Sequence, residues 1–255
     1  MGLWNVGGLI SKQFNKTTDP EFLRKFYNFD LLFLVETHLG PDHNILKIGS
    51  YYCNLICRPK TKANNRYFGG LAILCKQSIK PHIKIKKNSN PNYQWVKLEK
   101  DFFGFKTDLF ICCVYDPPSN SSYSKELDHE SLGHIEKEIE HFQKRGNVLL
   151  CGDFNTRVGS ENDFIYQDSN NFLPLFKSYN FDKQILKRYN KDKKLDSRGK
   201  DLIDLCISNQ LRVLGDTFGN FTCYTTHGAS TVDYVLVSEG ILDHILYLKV
   251  NDFVP

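Results

Sequence analysis

The chain has 255 residues, a formal net charge of +4 and a hydrophobic fraction of 41%. This length and composition are typical of one globular domain, and no apolar run approaches the roughly 18 residues that a membrane-spanning helix needs. The N-terminus lacks the basic-then-apolar pattern of a secretory signal, and the small net charge does not by itself indicate a polyanionic partner. We therefore expect a single domain over residues 1–255 that does not cross a membrane.

The eight cysteines favour a reduced, intracellular protein. Five of them lie inside apolar runs, where a free thiol packs as a small apolar side chain: Cys75, Cys112, Cys113, Cys151 and Cys206. There is no Cys-x-x-Cys pair, and Cys53 and Cys57 have no matching His or Cys pair at the spacing of a zinc site. Because disulfides are rare in reducing compartments, we predict free thiols.

Apolar periodicity predicts most elements in the first half of the chain. Strands are predicted over 3–6, 31–35, 51–56, 71–75, 79–85, 93–98 and 109–115. A helix is predicted over 20–29, with Pro20 at its start and Phe22 and Phe26 on its apolar face. A second helix is predicted over 124–144, where Ile135 and Ile139 belong to one apolar face.

The second half of the chain has a less regular pattern. The run over 148–151 has no polar alternation, which is typical of a strand buried on both faces. Helices are predicted over 171–179 and 201–211, strands over 221–225 and 231–237, and a turn over 226–230. Strands that alternate irregularly with helices, with hairpin-like pairs among them, favour an α+β fold of two packed, mostly antiparallel sheets with helices outside.

The segment over 146–159 is the first candidate for a functional site. Gly152 ends the buried strand, and Asp153 and Asn155 follow it. A carboxylate and a carboxamide two residues apart at the edge of a sheet can hold a water or a phosphoryl oxygen beside a divalent metal. The same residues also form ordinary Asx turns at strand ends, and the sequence leaves both interpretations open.

Further polar residues fall at or near predicted strand ends: Asn5, Glu36, Tyr115 and Asp233. Glu36 directly follows the strand over 31–35, although a carboxylate in this position is more often simply exposed to solvent. Asp233 lies within an apolar strand, where a carboxylate is costly unless something binds it. We hypothesise that these side chains meet Asp153 and Asn155 at one edge of the sheets.

Two segments are basic and rich in loop-forming residues. The first contains Arg58, Lys60, Lys62 and Arg66. The second, over 182–200, has eight basic and three acidic residues and includes Arg198. Exposed loops of this kind bind phosphates through their charge, whereas lysine-rich runs are also common on ordinary solvated surfaces.

Six segments, in chain order, match a known family. They are Trp4-Asn5-Val6, Leu34-Val35-Glu36-Thr37-His38, Gly69-Gly70-Leu71-Ala72-Ile73, Val114-Tyr115-Asp116-Pro117-Pro118, Gly152-Asp153-Phe154-Asn155 and Val232-Asp233-Tyr234-Val235. Together they resemble the motif blocks of the endonuclease/exonuclease/phosphatase superfamily. They are most similar to the apurinic-endonuclease-like nuclease domain of LINE-type (non-LTR) retrotransposons, over residues 3 to 238.

This resemblance implies a DNase I-like, four-layer αββα sandwich that hydrolyses DNA phosphodiesters with Mg²⁺ or Mn²⁺. Carried over residue by residue, it makes Glu36 the main metal ligand, with Asn5 beside it. Asp153 would activate or position the attacking water, and Asn155 would hold the scissile phosphate. Tyr115 would hydrogen-bond the phosphate or the attacking group.

The resemblance also implies a Ser-Asp-His block in a last strand, and that block is absent from the sequence. Asp233 would orient its histidine, and His244, which follows Leu242-Asp243, does not match the motif. We therefore expect a nuclease domain that is truncated before this strand and impaired in catalysis.

The implied partner is DNA, contacted mainly at its phosphates by a monomer, and a DNA substrate implies the nucleus. The residues expected to contact it are Arg58, Lys60, Lys62, Arg66 and Arg198. Two alternatives stay open, because a fold alone does not decide a substrate. One is a phosphatase or phosphodiesterase of the same fold acting on a lipid or a nucleotide, and the other is a non-catalytic nucleic-acid-binding module.

Overall fold

The computed structural model describes residues 1–60, 66–86, 90–126, 131–165, 188–215 and 219–251. They form two compact units, Met1–Asn155 and Thr156–Pro255. The helix predicted over 171–179 lies outside the described residues, as does Lys62. The expectation of a single domain stays a prediction.

The first sheet of the first unit has the strand order β1-β2-β5-β4-β3. Its strands are β1 (Gly2–Asn5), β2 (Leu31–Val35), β3 (Lys47–Ile48), β4 (Tyr51–Ile56) and β5 (Leu71–Lys76). β1 and β2 run parallel, and the other neighbours run antiparallel. All five residues of β2 are buried, as its unbroken apolar run predicts.

Four more strands of the first unit lie side by side in the order β9-β8-β7-β6. They are β6 (Ile83–Ile85), β7 (Tyr93–Leu98), β8 (Asp108–Tyr115) and β9 (Gly146–Asp153). β8 and β9 run parallel, and their backbones approach so closely at Gly152 that an added Cβ would lie 1.9 Å from the carbonyl oxygen of Val114. Only glycine fits at that position.

Helices flank the two sheets of the first unit, which pack on each other through β1 and β2 against β8 and β9. On one face of the first sheet, Phe22 and Phe26 cluster with Leu32 and Leu34 beside helix α1 (Pro20–Arg24). The short helices α2 (Lys100–Phe103) and α3 (Ser122–Glu126) precede α4 (Ser131–Gln143), which packs on β9 and stacks Phe142 on Phe110. The predicted α+β sandwich of two sheets flanked by helices is confirmed.

The second unit contains one α-helix, one 3-10 helix (Glu239–His244) and four strands among its described residues. The α-helix is α5 (Ser197–Ser208), and the strands are β10 (Leu211–Leu214), β11 (Cys223–Thr225), β12 (Gly228–Ser230) and β13 (Asp233–Ser238). β10 pairs antiparallel with β13, β11 pairs antiparallel with β12, and α5 packs on β10. Asp196 caps α5 by accepting a hydrogen bond from the N–H of Gly199.

Several predicted boundaries are wrong for local reasons. The helix predicted over 20–29 ends at Arg24, after which the N–H of Phe26 bonds the carbonyl of Leu23 and the N–H of Phe29 that of Phe26, each three residues back as in turns. The strand predicted over 79–85 begins only at Ile83, because Pro81 has no N–H to donate and lies in a 3-10 turn. The helix predicted over 201–211 starts earlier, at its Asp196 cap, and Leu211 already belongs to β10.

Further predictions concern the burial of the cysteines and the turn over 226–230. The five cysteines predicted to pack in apolar runs are buried and free, which confirms that prediction. Part of the turn predicted over 226–230 is strand β12. In the parts of the chain that the structure describes, no helix has the length and apolar character needed to span a bilayer.

Candidate functional site

Two parallel strand pairs bring four polar residues to one edge of the first unit. β1 is in register with β2, so Asn5 lies opposite Val35, the residue before Glu36. β8 is in register with β9, so Tyr115 lies opposite Asp153. Because each pair is parallel, the carboxyl ends of its two strands lie together.

Two hydrogen bonds connect these pairs across the two sheets. The side-chain amide of Asn5 donates to Oδ2 of Asp153 at 3.4 Å. The hydroxyl of Tyr115 donates to Oε1 of Glu36 at 3.0 Å. Four residues that the sequence placed at separate strand ends are therefore assembled into one cluster.

The loop after β9 adds Asn155 to this cluster. The backbone N–H of Asn155 donates to Oδ1 of Asp153 at 2.9 Å, which makes the loop an Asx turn, and its side-chain amide donates to the carbonyl of Asp116 at 2.9 Å. Asn155 has a φ of 46°, in the left-handed region that asparagine tolerates better than most residues. The Asx turn is thus real, and it fixes the direction of the Asp153 carboxylate, which is buried.

The chain at Glu36 is also held in an unusual backbone conformation. Glu36 and His38 have φ values of 56° and 55°, and such strain is commonly found at functional sites. The Glu36 carbonyl accepts a 2.7 Å hydrogen bond from the N–H of Gly8, and Nε2 of His38 lies 3.6 Å from Oε2 of Glu36. Burial alone would raise the pKa of the Glu36 carboxyl, but hydrogen bonds from His38, Asn5 and Tyr115 outweigh it and lower that pKa. Glu36 is therefore a carboxylate at neutral pH.

Tyr115 is a neutral hydrogen-bond donor. Its side chain is buried, and burial together with the negative charge of Glu36 raises the pKa of its hydroxyl far above the usual range. The phenol therefore keeps its proton at neutral pH and can donate to Glu36 or to a substrate oxygen.

Arg58 differs from the sequence prediction. An exposed loop residue was expected, whereas Arg58 is 2% exposed, and its guanidinium donates to the backbone carbonyl of Tyr115. Burial lowers the pKa of Arg58 to about 10, so the group is still a cation at neutral pH. An arginine followed by proline after β4 is typical of a loop, and no signal in the sequence marked its burial.

The remaining predicted site residues lie elsewhere. Lys60 and Arg66 are exposed, and Nζ of Lys60 lies 4.7 Å from the ring centroid of Tyr67. Asp233 begins β13 of the second unit, where its N–H donates to Oγ1 of Thr222 at 3.2 Å. Arg198 is half-buried in the first turn of α5. Their roles stay predictions.

The residues of the cluster fit a hard divalent cation. Glu36, Asp153 and Asn5 offer carboxylate and carboxamide oxygens, the ligand types that Mg²⁺ prefers. Across the described ranges there is no group of three or more His, Cys, Asp or Glu side chains that could hold a metal by themselves. Since Mg²⁺ is usually bound by one or two carboxylates together with waters and substrate phosphates, these residues suit a metal that binds with its substrate.

Comparisons with solved structures show the same fold. The endonuclease domain of TRAS1, a telomere-specific non-LTR retrotransposon, is 11% identical with a TM-score of 0.52, and the match covers 94% of this chain and 85% of that one. The 3′-5′ exonuclease NExo from Neisseria meningitidis is 14% identical with a TM-score of 0.52, covering 94% and 86%. The 3′ phosphatase NExo from Neisseria, bound to a product DNA hairpin, is 12% identical with a TM-score of 0.51, covering 94% and 86%.

No curated protein matches the sequence. A family model does match, and it covers residues 2–246, which include β1 to β13 and every strand end described above. The chain therefore belongs to the endonuclease/exonuclease/phosphatase family.

Proposed function

We propose that this chain is a metal-dependent endonuclease domain that nicks DNA. The observation that carries the proposal is the pair of hydrogen bonds that joins Asn5 to Asp153 and Tyr115 to Glu36 at one edge of the sandwich. Two carboxylates held within one cluster repel each other, so a purely structural role would not favour them. A metal-dependent phosphodiesterase needs such a cluster, because it must bind a cation and a water beside a phosphate.

Each residue has a role in phosphodiester hydrolysis. The oxygen of a water molecule attacks phosphorus, and Asp153 orients that water and takes its proton. Asn155 donates a hydrogen bond to a phosphoryl oxygen as negative charge develops on it, and the single hydroxyl proton of Tyr115 turns from Glu36 to another phosphoryl oxygen when the substrate is bound. The bond from phosphorus to one sugar oxygen breaks as the new bond forms, and that oxygen leaves with the electron pair and takes a proton from solvent.

The proposed metal is Mg²⁺ or Mn²⁺, held by Glu36 and Asn5. Such a cation would neutralise charge on the phosphate and on the leaving oxygen. Glu36 is suited to this position because its carboxyl is ionised and its direction is fixed by Tyr115 before any ligand binds.

DNA is favoured over a lipid or a nucleotide by two observations. Lys60 and Arg66 are exposed on the segment that follows β4, where they can contact backbone phosphates. The similar structures include a retrotransposon endonuclease domain and a DNA-bound phosphatase. The similarity to the retrotransposon endonuclease domain, together with the six matching sequence segments, supports a nuclease domain of the LINE type.

Nicking of supercoiled plasmid tests the proposal. Purified protein with Mg²⁺ should convert supercoiled DNA to open circles, chelation should stop the reaction, and Asp153→Asn and Glu36→Gln should each abolish it. Asp101→Asn and Glu21→Gln are matched controls, since both carboxylates are exposed outside the cluster. The same assay on a chain extended by a Ser-Asp-His segment tests the expectation that this block completes the site.

Three outcomes separate the alternatives. Nicking that depends on Asp153 and Glu36, by either form of the protein, supports the proposal. DNA binding without nicking by either form would favour the non-catalytic module. Release of phosphate from a phosphoinositide or a nucleotide, with DNA left intact, would favour the lipid or nucleotide enzyme.

A further inference from the structure

Arg58 lies between two aromatic rings. Its guanidinium carbon is 4.3 Å from the ring centroid of Tyr115, in β8, and 4.6 Å from that of Tyr123, in α3. The guanidinium also donates to the Tyr115 carbonyl, so Arg58 contacts both the ring and the backbone of the same residue. Cation–π contacts of a desolvated arginine are among the stronger ones.

This arrangement is costly for folding, which indicates a use. Arg58 is 2% exposed, its Nε is buried without a hydrogen-bond partner, and no carboxylate forms an ion pair with it in the described ranges. A buried arginine is destabilising unless its charge is compensated. The negative charges that favour its ionised form are Glu36 and Asp153 of the candidate site.

The backbone at Gly69 makes room for this stack. Gly69 has a φ of 68°, and a Cβ built on it would lie 2.5 Å from Nη1 of Arg58 and 2.7 Å from Cε1 of Tyr115. The same residue accepts a 2.8 Å hydrogen bond from the N–H of His38, two residues after Glu36. The Tyr115 ring therefore has Arg58 on its face and Gly69 at its edge, and its hydroxyl is directed at Glu36.

From this geometry we propose that Arg58 is a positioning residue of the candidate site. Stacked between Tyr115 and Tyr123, it fixes the Tyr115 hydroxyl on the Glu36 carboxylate, and its charge offsets the two carboxylates of the cluster. It does not contact substrate, because it is buried. This inference rests on the proposed nuclease function for its kinetic consequences, but the positioning of the Tyr115 ring is independent of that function.

The geometry also predicts which replacements fail. Lysine keeps the charge but has no flat group to lie between two rings and donate to a carbonyl at the same time. Arg58→Lys should therefore lower kcat nearly as much as Arg58→Met does. Misplacing a group by about 1 Å at a reacting centre can cost about 100-fold in rate, so we expect kcat to fall 10- to 100-fold with KM changed less than about 3-fold.

A double-mutant cycle tests whether Arg58 acts through Tyr115. Nicking is measured for Arg58→Met, Tyr115→Phe and the double variant. If Arg58 works by holding the Tyr115 hydroxyl, Arg58→Met should cost less than about 3-fold in the Tyr115→Phe background. The proposal would be overturned if the fold-losses in rate of the two single variants multiplied in the double variant. It would also be overturned if Arg58→Met raised KM and left kcat unchanged. Arg145→Met is the matched control, because Arg145 lies 5.6 Å from the Phe110 ring near the opposite end of β9.

A spectroscopic measurement keeps the inference testable apart from the nuclease proposal. With ring-labelled tyrosine, NMR signals of Tyr115 and Tyr123 are assigned by Tyr115→Phe and Tyr123→Phe. Arg58→Met and Arg58→Lys should shift or broaden both signals and leave the signals of the other tyrosines in place. Unchanged Tyr115 signals in folded variants would sink the inference. If neither the given chain nor its extended form nicks DNA, the nuclease proposal fails and these spectra still decide the role of Arg58.

Discussion

The hydroxyl of Tyr115 donates a 3.0 Å hydrogen bond to Oε1 of Glu36 and so joins the end of β8 in one sheet to the residue that follows β2 in the other. The acceptor is an ionised carboxylate, and the donor is a phenol that keeps its proton. The bond therefore fixes the direction of Glu36 in the folded protein before any ligand arrives. Such preorganisation is what a metal-assisted hydrolase requires of its ligands.

Tyr115→Phe should lower the rate of nicking. Hydrogen bonds to charged groups contribute about 1.5–3 kcal/mol, so we expect a loss of about 10- to 100-fold in single-turnover rate. Tyr52→Phe is the matched control, because Tyr52 is a half-buried tyrosine of β4 in the same unit. An unchanged rate for Tyr115→Phe would show that the bond to Glu36 is dispensable for catalysis.

The strands of the site could be predicted from the sequence because buried parallel strands have a simple signature. β2, β8 and β9 each contain an unbroken apolar run, and a polar residue directly follows or ends each strand. The sequence also marked Asp153 and Asn155 through the glycine before them. The sequence could not show why a glycine is needed at position 152. In the structure it allows β8 and β9 to approach closely, whereas the sequence was equally consistent with a turn.

The contacts between distant residues could not be predicted from local pattern. Asn5 and Asp153 are 148 residues apart, and only the packing of two sheets brings them together. The burial of Arg58 was missed for a related reason, since its partners are the rings of Tyr115 and Tyr123, which lie far along the chain. The helix over 20–29 was predicted too long because the spacing of its apolar residues does not distinguish a helix from the turns that follow Arg24.

Gly152→Ala should destabilise the first unit. An added Cβ would lie 1.9 Å from the carbonyl oxygen of Val114, so β8 and β9 would have to separate. Overpacking of this kind typically costs about 1–3 kcal/mol in the free energy of unfolding, measured by urea denaturation. In the control Gly104→Ala, the Cβ meets nothing within 4 Å and only the left-handed backbone is strained. Equal losses in the two variants would contradict the collision at Val114.

Asp192→Asn should change how the stability of the second unit depends on pH. Asp192 is buried, forms an ion pair with Arg157 and accepts a 2.9 Å hydrogen bond from the N–H of Thr231. Burial alone would raise the pKa of Asp192, but these partners outweigh it and lower that pKa. The stabilisation is therefore complete above the unfolded pKa of about 3.9 and is lost as the pH falls through the lower folded value.

Urea denaturation from pH 7 to pH 2 measures this effect. At pH 7 we expect Asp192→Asn to lose about 3 kcal/mol, the lower end of the range for breaking a buried ion pair, because Arg157 is partly exposed. The difference from the wild type should shrink below about pH 4. Asp243→Asn, at an exposed position of the same unit, should follow the wild-type curve. A difference that stays constant down to pH 2 would show that the charge of Asp192 is not the stabilising feature.

Arg66→Ala should weaken DNA binding in a salt-dependent manner, whereas Arg58→Met should not. Arg66 is exposed, so its charge can neutralise a phosphate and release a counterion, while Arg58 is 2% exposed. The slope of log K against log salt is negative, and loss of one phosphate contact lowers its magnitude by about 0.9. Fluorescence anisotropy with labelled duplex DNA in chelator, at several salt concentrations, measures this slope. Arg24→Ala removes an equal, exposed charge from α1 and should leave the slope unchanged. Equal slopes for Arg66→Ala and Arg24→Ala would place the DNA-binding surface away from the segment after β4. A slope of smaller magnitude for Arg58→Met would show that this arginine reaches the phosphates itself.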